Sequence, residues 1–379
     1  MPNPNVIVSI IKGFEPSVAR ALAEKLRVEG GVTIQLEEGR QARLDPDNPR
    51  STGYLQVLEG LSKQRLPVYL ELDPQTQTIT QLLIPHVTRV VGLKPLEGGL
   101  LGVELEFSHA RHVLRQDQAN YGELEKQLRE AEASAKPVIV SEDDYHNIID
   151  VRPFVPSPDG PEVPSRPFPL LAPRIKTSPL YWLKDFSYKF WYWCWWPWWW
   201  FKCRCISKKK AQQVFNTMKA TSCDPLTVPA PCIPFLYPDD GCWARAHEMC
   251  RLMINMGLSP KKVWIQGSLH VNTANNPNCG VFWGWHVAPI LCVRSCFFFT
   301  KTMVIDPSLF DTPVTKPVWK SIQGDPGASL TDSAASIYYL WGNITDPSYT
   351  ETNFYLNYYR LQLQNRANQY GPPPYANCP

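Results

Sequence analysis

The chemistry of this 379-residue chain is concentrated first in residues 231–249, PCIPFLYPDDGCWARAHEM. Asp239, Asp240 and Gly241 read as turn and N-cap residues, and Ala246, Met249, Cys250 and Met253 recur at helical spacing until Gly257 and Pro260 end the segment. Cys242 is therefore expected in a first helical turn, where free backbone N–H groups and the positive end of the helix dipole favour the thiolate. A thiolate nucleophile needs a base to take its proton and a third group to orient that base. The segments 281–293 (VFWGWHVAPILCV) and 296–305 (CFFFTKTMVI) read as consecutive strands with Arg294 and Ser295 near their turn. An antiparallel hairpin turning near residue 296 sets His286 opposite Asp306, and directly opposed residues have Cβ atoms about 4.5–5.5 Å apart. Taken singly, each residue has a structural explanation: one cysteine of eleven, a core histidine on an apolar strand, and an aspartate before Pro307 that ends a strand. Together, a helix-borne Cys242 followed by strand-borne His286 and Asp306 forms a candidate Cys-His-Asp triad. Such a triad attacks an acyl carbon through a thioester, and the Cys242 backbone N–H is one candidate oxyanion donor.

The same arrangement recurs in papain-like and transglutaminase-like enzymes. More specifically, the 231–249 run, Gln266-Gly267-Ser268-Leu269, WGWHVAPILCV and IDPSLFDTPVTKPVW closely resemble bacterial protein glutaminase, the protein-glutamine deamidases. The likeness runs over about residues 211–365, and its triad motifs fall on Cys242, His286 and Asp306. It implies an α+β catalytic domain, with a nucleophile-bearing helix packed on an antiparallel sheet in a transglutaminase/papain-like core. It also implies hydrolysis of the side-chain amide of protein- or peptide-bound glutamine, with no cofactor and no metal. Cys223 and Cys232 correspond to family cysteines and imply a short loop-closing bridge. Trp243, Trp283 and Trp285 are candidate substrate-contacting aromatics, and Trp285 stands where the family is expected to carry tyrosine. A cysteine peptidase or a transglutaminase would use the same three residues, and a non-enzymatic membrane- or partner-binding protein is a further alternative.

The remaining chain must position and restrain these groups. Its length exceeds what one core usually needs, and a net charge of +3 with 44% hydrophobic residues argues against a dedicated nucleic-acid protein. Residues 1–152 read as a duplicated α/β module. Tyr54, Leu58 and Leu61 lie on one helical face before Pro67-Val68, and Tyr121, Leu124 and Leu128 repeat this before Pro137-Val138. This half resembles, more weakly, the pro-region of protein glutaminase, which covers the active-site cleft and is removed on maturation; a zymogen is implied. Residues 153–180 form a linker with eight prolines between Pro153 and Pro173, accessible to a processing protease. Residues 181–210 concentrate eight of fourteen tryptophans ahead of Lys208–Lys210. Its aromatic core, Phe190 to Phe201, is too short for a transmembrane helix of about 20 residues and is interrupted by Pro197, and the segment suits an interfacial membrane anchor. The catalytic domain is expected over 211–379.

All eleven cysteines lie between Cys194 and Cys378, compatible with five disulfides and a free Cys242. Cys203, Cys205, Cys292 and Cys296 lack partners at zinc-site spacing. Disulfides and the family resemblance imply a secreted or extracellular protein, yet VIVSII is too short for a secretory core, so a cytoplasmic or membrane-associated location stays open.

Overall fold

The computed structural model describes residues 4–15, 30–155, 205–296 and 299–378. The expected Trp-rich run and nearly all of the Pro-rich linker lie outside the described residues.

In the N-terminal half, β1 (Val6–Glu15), β2 (Val32–Leu36), β3 (Gln41–Leu44), helix α1 (Ser51–Gln64), β4 (Pro67–Leu72) and β5 (Ile79–Leu83) form one unit. Its sheet has the order β3-β2-β1-β4-β5. Tyr54, Leu58 and Leu61 of α1 are buried, as their helical spacing requires. A similar order follows: β6 (His86–Thr88), β7 (Val90–Leu96), β8 (Leu100–Leu105), β9 (His112–Arg115), α2 (Tyr121–Ser134), β10 (Val138–Glu142) and β11 (Ile148–Pro153). Here the strands split into the sheets β7-β8-β9 and β11-β10-β6.

The C-terminal half opens with β12 (Ile206–Ser207) and α3 (Lys208–Ala220). Ser207 caps α3 by accepting from the Lys210 N–H, so Lys208–Lys210 form the first turn of that helix. This half continues with α4 (Cys242–Asn255), β13 (Lys261–Asn272), β14 (Gly280–Cys296), β15 (Phe299–Val304), β16 (Val314–Thr315), α5 (Lys316–Ser321) and β17 (Ser329–Ala334). It ends with β18 (Ile337–Tyr339), β19 (Ile344–Thr345) and α6 (Thr350–Tyr370). The antiparallel order β16-β15-β14-β13-β17 makes the main sheet, with β12 added in parallel to β14.

Helix α4 packs against β14 and α6 and is buried on nearly every side, including Trp243, Arg245, His247 and Met249. A helix enclosed so fully is a rigid carrier for its first residue. Three disulfides tie this half: Cys205–Cys292, Cys223–Cys232 and Cys279–Cys378. Cys250 is free as well as Cys242. Among the described residues the expected pairing of every cysteine but Cys242 is corrected: Cys250 is buried on α4 and free, while Cys194, Cys203 and the Cys296 side chain lie outside them.

The two halves share one core. Apolar side chains from Ile7 through Leu82 merge with those of α4, β14 and α6 into a single buried cluster, while the β7–β11 unit keeps its own. Polar contacts reinforce the seam: Asn365 and Gln369 donate to the Leu82 carbonyl, and Tyr358 Oη donates to Ile84 O. Helices α1 and α6 pack closely, and a Cβ on Gly60 would stand 2.5 Å from Leu361 Cδ2. A Gly60→Leu change should force the two helices apart and loosen the N-terminal half, a small-to-large cost of about 1–3 kcal/mol. Faster protease release of residues 1–155 from the Gly60→Leu chain checks this; an unchanged rate means the seam is held elsewhere.

Candidate active site

Gly241 enters α4 at φ 82°, and any Cβ there would collide with the Tyr359 ring. Only glycine permits both the left-handed turn and that contact. Asp239 and Asp240, expected as caps, are instead buried anchors. Asp239 is paired with Arg366 and accepts from Asn276 Nδ2 at 2.5 Å. Asp240 Oδ2 accepts from Tyr359 Oη at 2.7 Å. Arg245 donates to the Tyr237 and Asp240 carbonyls, closing the loop on itself. The loop preceding Cys242 is thus fixed by buried charge as well as by backbone.

His286 and Asp306 arrive from the sheet. In the β14–β15 ladder Ile290 faces Val304 and Leu291 faces Met303, two residues off the expected register. A shift of two preserves the face on which every side chain lies. Asp306 sits just past β15, and His286 Nε2 meets Asp306 Oδ2 at 2.9 Å. His286 Nδ1 has no hydrogen-bond partner, and Cys242, His286 and Asp306 are each 1–2% exposed. The Cys242 thiol, one ring nitrogen of His286 and one of His109 all lie within 4.8 Å of one another. With Nε2 committed to Asp306, Nδ1 is the nitrogen left to serve the thiol.

Two tryptophans clamp the imidazole. Trp283 stacks on it at 4.6 Å between centroids and 18° between planes, and Trp319 lies on it at 5.5 Å and 28°. Trp319 Nε1 also donates to Asp306 Oδ2 at 2.8 Å. Burial alone would raise the Asp306 carboxyl, but the neighbouring His286 and the His286 and Trp319 hydrogen bonds outweigh it and hold it below its ordinary value. Trp319→Phe keeps the stack and removes one bond to a charged group, worth about 1.5–3 kcal/mol. It should lower kcat about 10- to 100-fold with KM little changed; equal kcat values would show that Trp319 does not orient the carboxylate.

The N-terminal half enters this site. The Gly284 N–H donates to His109 O at 2.9 Å and the Arg111 N–H to Phe282 O at 3.1 Å, adding residues 109–111 as a short antiparallel strand beside β14. His109 Nε2 then stands 3.3 Å from Asp240 Oδ1 and 3.5 Å from the Cys242 backbone nitrogen. It fills the space before the N–H that an oxyanion would need. Burial, then the nearby His286 and Arg245, push the His109 ring well below the usual histidine range, so it is neutral.

Burial also pushes the Cys242 thiol well up, with the Asp240 and Asp306 carboxylates acting in the same direction against Arg245. The expected thiolate is therefore corrected for this closed form. The helix terminus favours the anion, but a thiol sealed from water cannot be solvated as one.

The sequence-chosen aromatics cluster here. Trp243 Nε1 donates to Tyr338 Oη and Trp283 Nε1 to Asp239 O, both at 2.9 Å. Trp285 lies among Trp264, Trp341 and Tyr339 at centroid distances of 5.0–5.7 Å. Sequence reasoning missed His109, Trp319 as a donor, and the anchoring roles of Asp239 and Asp240. Trp319 closes the KPVW block, but His109 carries no local signal at all.

A helix-borne thiol stands near a strand-borne imidazole that is bonded to a carboxylate just past β15, the arrangement that a Cys-His-Asp triad requires. A family model described as Glutaminase matches residues 211–323. Protein-glutaminase from Chryseobacterium proteolyticum, solved by NMR, is 33% identical over 39% of this chain and 84% of its own, with a TM-score of 0.36. A crystal structure of protein-glutaminase gives the same figures. A crystal structure of pro-protein-glutaminase is 25% identical over 74% of this chain and 93% of its own, with a TM-score of 0.48. No curated protein matches. The chain belongs to the protein-glutaminase family, an assignment carried by the 33% identity over 84% of protein-glutaminase rather than by superposition.

Proposed function

We propose that this chain is the precursor of a hydrolase that converts glutamine held in a protein or peptide to glutamate with release of ammonia. The observation that carries the reading is His286, bonded through Nε2 to Asp306 with its other nitrogen free for the thiol of Cys242. Cys242 Sγ attacks the γ-carboxamide carbon as His286 Nδ1 takes the thiol proton. The C–N bond then breaks, His286 returns the proton to the departing ammonia, and a thioester remains. Water, deprotonated by the same imidazole, attacks the thioester and releases glutamate and the thiol. Trp243, Trp283 and Trp285 all pack around the His109 ring that stands at the thiol, which supports a place for them beside the substrate.

In this reading residues 1–152 are an inhibitory pro-region, supported by the 109–111 strand and the His109 imidazole at the thiol. Residues 211–379 carry the catalysis, with processing in the Pro-rich 153–180 linker. Three disulfides support an oxidising, extracellular destination. Contact with a membrane interface is assigned to the Trp-rich 181–210 segment; among the described residues no helix is long and apolar enough to cross a membrane.

The products test the reaction. Incubating the clipped protein with a glutamine-rich protein substrate should yield ammonia without new N-termini and without loss of lysine amines. New N-termini would instead make it a peptidase, and consumed lysine amines a transglutaminase.

A further inference from the structure

Three of the seven histidines in the chain converge on one carboxylate, away from the thiol. Glu142, at the end of β10, meets His112 Nδ1 at 2.5 Å through Oε2, and His146 Nδ1 at 2.8 Å through Oε1. His86 Nε2 stands 3.1 Å from the same Oε1. The three imidazoles come from β9, the turn after β10, and β6, so chain folding alone gathers them. His112 is 1% and His146 8% exposed.

We propose that His112, His146 and Glu142 form a binding site for a divalent transition ion of the zinc class, with His86 the nearest group for the fourth position. The ligand atoms of the first three all lie within 4.8 Å of one another. His112 and His146 are hydrogen-bonded to the carboxylate at 2.5 and 2.8 Å, so an ion would replace the bonding protons and the groups would move apart to the roughly 3.4 Å ligand separation that zinc bonds of about 2.0–2.2 Å require. Two imidazoles and a carboxylate suit zinc, cobalt(II) or nickel(II) better than calcium or magnesium.

The outer shell is that of ligating histidines. A metal-bound imidazole turns its second nitrogen to a carboxylate, carbonyl or hydroxyl that fixes the ring. His112 Nε2 meets Ser108 Oγ at 2.7 Å, and His146 Nε2 faces Asp239 Oδ1 at 3.6 Å. A small cavity lined by His86, Thr88, Glu106, Ser108 and Tyr358 lies on the His86 side of the cluster.

The position gives the ion a consequence. All of its ligands belong to the N-terminal half, but Asp239, whose carboxylate stands 3.6 Å from His146 Nε2, belongs to the loop that leads into Cys242. Ser108, which orients His112, adjoins His109. A bound ion would stiffen both the strand that enters the active site and its contact with the opposing loop. The binding claim stands apart from the proposed deamidation, while its effect on pro-region release rests on that reading.

The full chain, stripped with chelator and titrated with cobalt(II), tests the site. One equivalent should bind with the visible d–d absorption of a four-coordinate nitrogen–oxygen site and no thiolate charge-transfer band. Glu142→Gln, which keeps the size of the side chain, should weaken binding about 10- to 100-fold, and Cys242→Ser should leave it unchanged. Zinc in hundredfold excess over its Kd should raise Tm by roughly 5 °C. No stoichiometric cobalt or zinc uptake at micromolar metal would overturn the proposal. So would a thiolate band that Cys242→Ser removes, which would put the metal on Cys242, His109 and His286. If Glu142→Gln fails to fold, the spectrum and stoichiometry of the unaltered chain decide alone. Metal uptake without ammonia release after clipping would leave the site standing and remove the deamidase reading.

Discussion

Cys242→Ser in the clipped protein should lose ammonia release by about 10⁴-fold or more, the scale on which removing a catalytic nucleophile acts. Nothing else in the geometry replaces the thiol: Cys250, the other free cysteine among the described residues, is buried eight positions further along α4, two helical turns away. Serine is nearly isosteric, so α4 and the β14 contacts stay in place and the loss is chemical rather than structural. Circular dichroism and the thermal midpoint of the variant should match the parent while ammonia release vanishes. A serine variant that still releases ammonia at a comparable rate would remove Cys242 from the mechanism.

The second large effect concerns His109 in the unclipped chain. Its imidazole is held by a strand contact on one side and by Asp240 and the Cys242 backbone on the other, and together these close the site. His109→Gly removes the side chain while leaving the backbone bonds to Gly284 and Phe282 available. Water then reaches a thiol that burial had held neutral, and the helix terminus can again favour the thiolate. Alkylation of Cys242 by iodoacetamide in the intact chain should accelerate about tenfold or more, each tenfold corresponding to about 1.4 kcal/mol of lost closure. Unchanged alkylation would mean that the shield is the aromatic wall around Trp285 rather than this histidine.

Local pattern carries the catalytic half further than the pro-region. The α4 helix announces itself because its start, its apolar stripe and its stop at Gly257 all lie within about twenty residues. The β14–β15 hairpin is equally local. Its register slipped by two because alternation fixes which face a residue occupies but not which partner it meets. His286 and Asp306 still meet, since both stay on one face and Asp306 reaches back from just beyond its strand.

Contacts between distant segments follow a different logic. His109 meets Cys242 across 133 positions, and Arg366 reaches Asp239 across 127. The Cys205–Cys292 and Cys279–Cys378 bridges span 87 and 99. Such pairs are set by how whole layers dock, and no spacing rule encodes them. The three imidazoles on Glu142 are of the same kind: His86, His112 and His146 are individually unremarkable strand and turn residues until β6, β9 and β10 come together. The thiol's protonation state depends on docking too. A helix start read from sequence favours the anion, and only the closed fold shows that burial reverses it.

The most direct measurement is the rate of ammonia release from one glutamine-rich protein substrate before and after cleavage between Pro153 and Pro173. The intact chain should be nearly silent, the cleaved chain active, and the cleaved Cys242→Ser chain silent again. Equal rates from intact and cleaved chains, or ammonia from the serine variant, would contradict an enzyme whose thiol is built by α4 and withheld by His109.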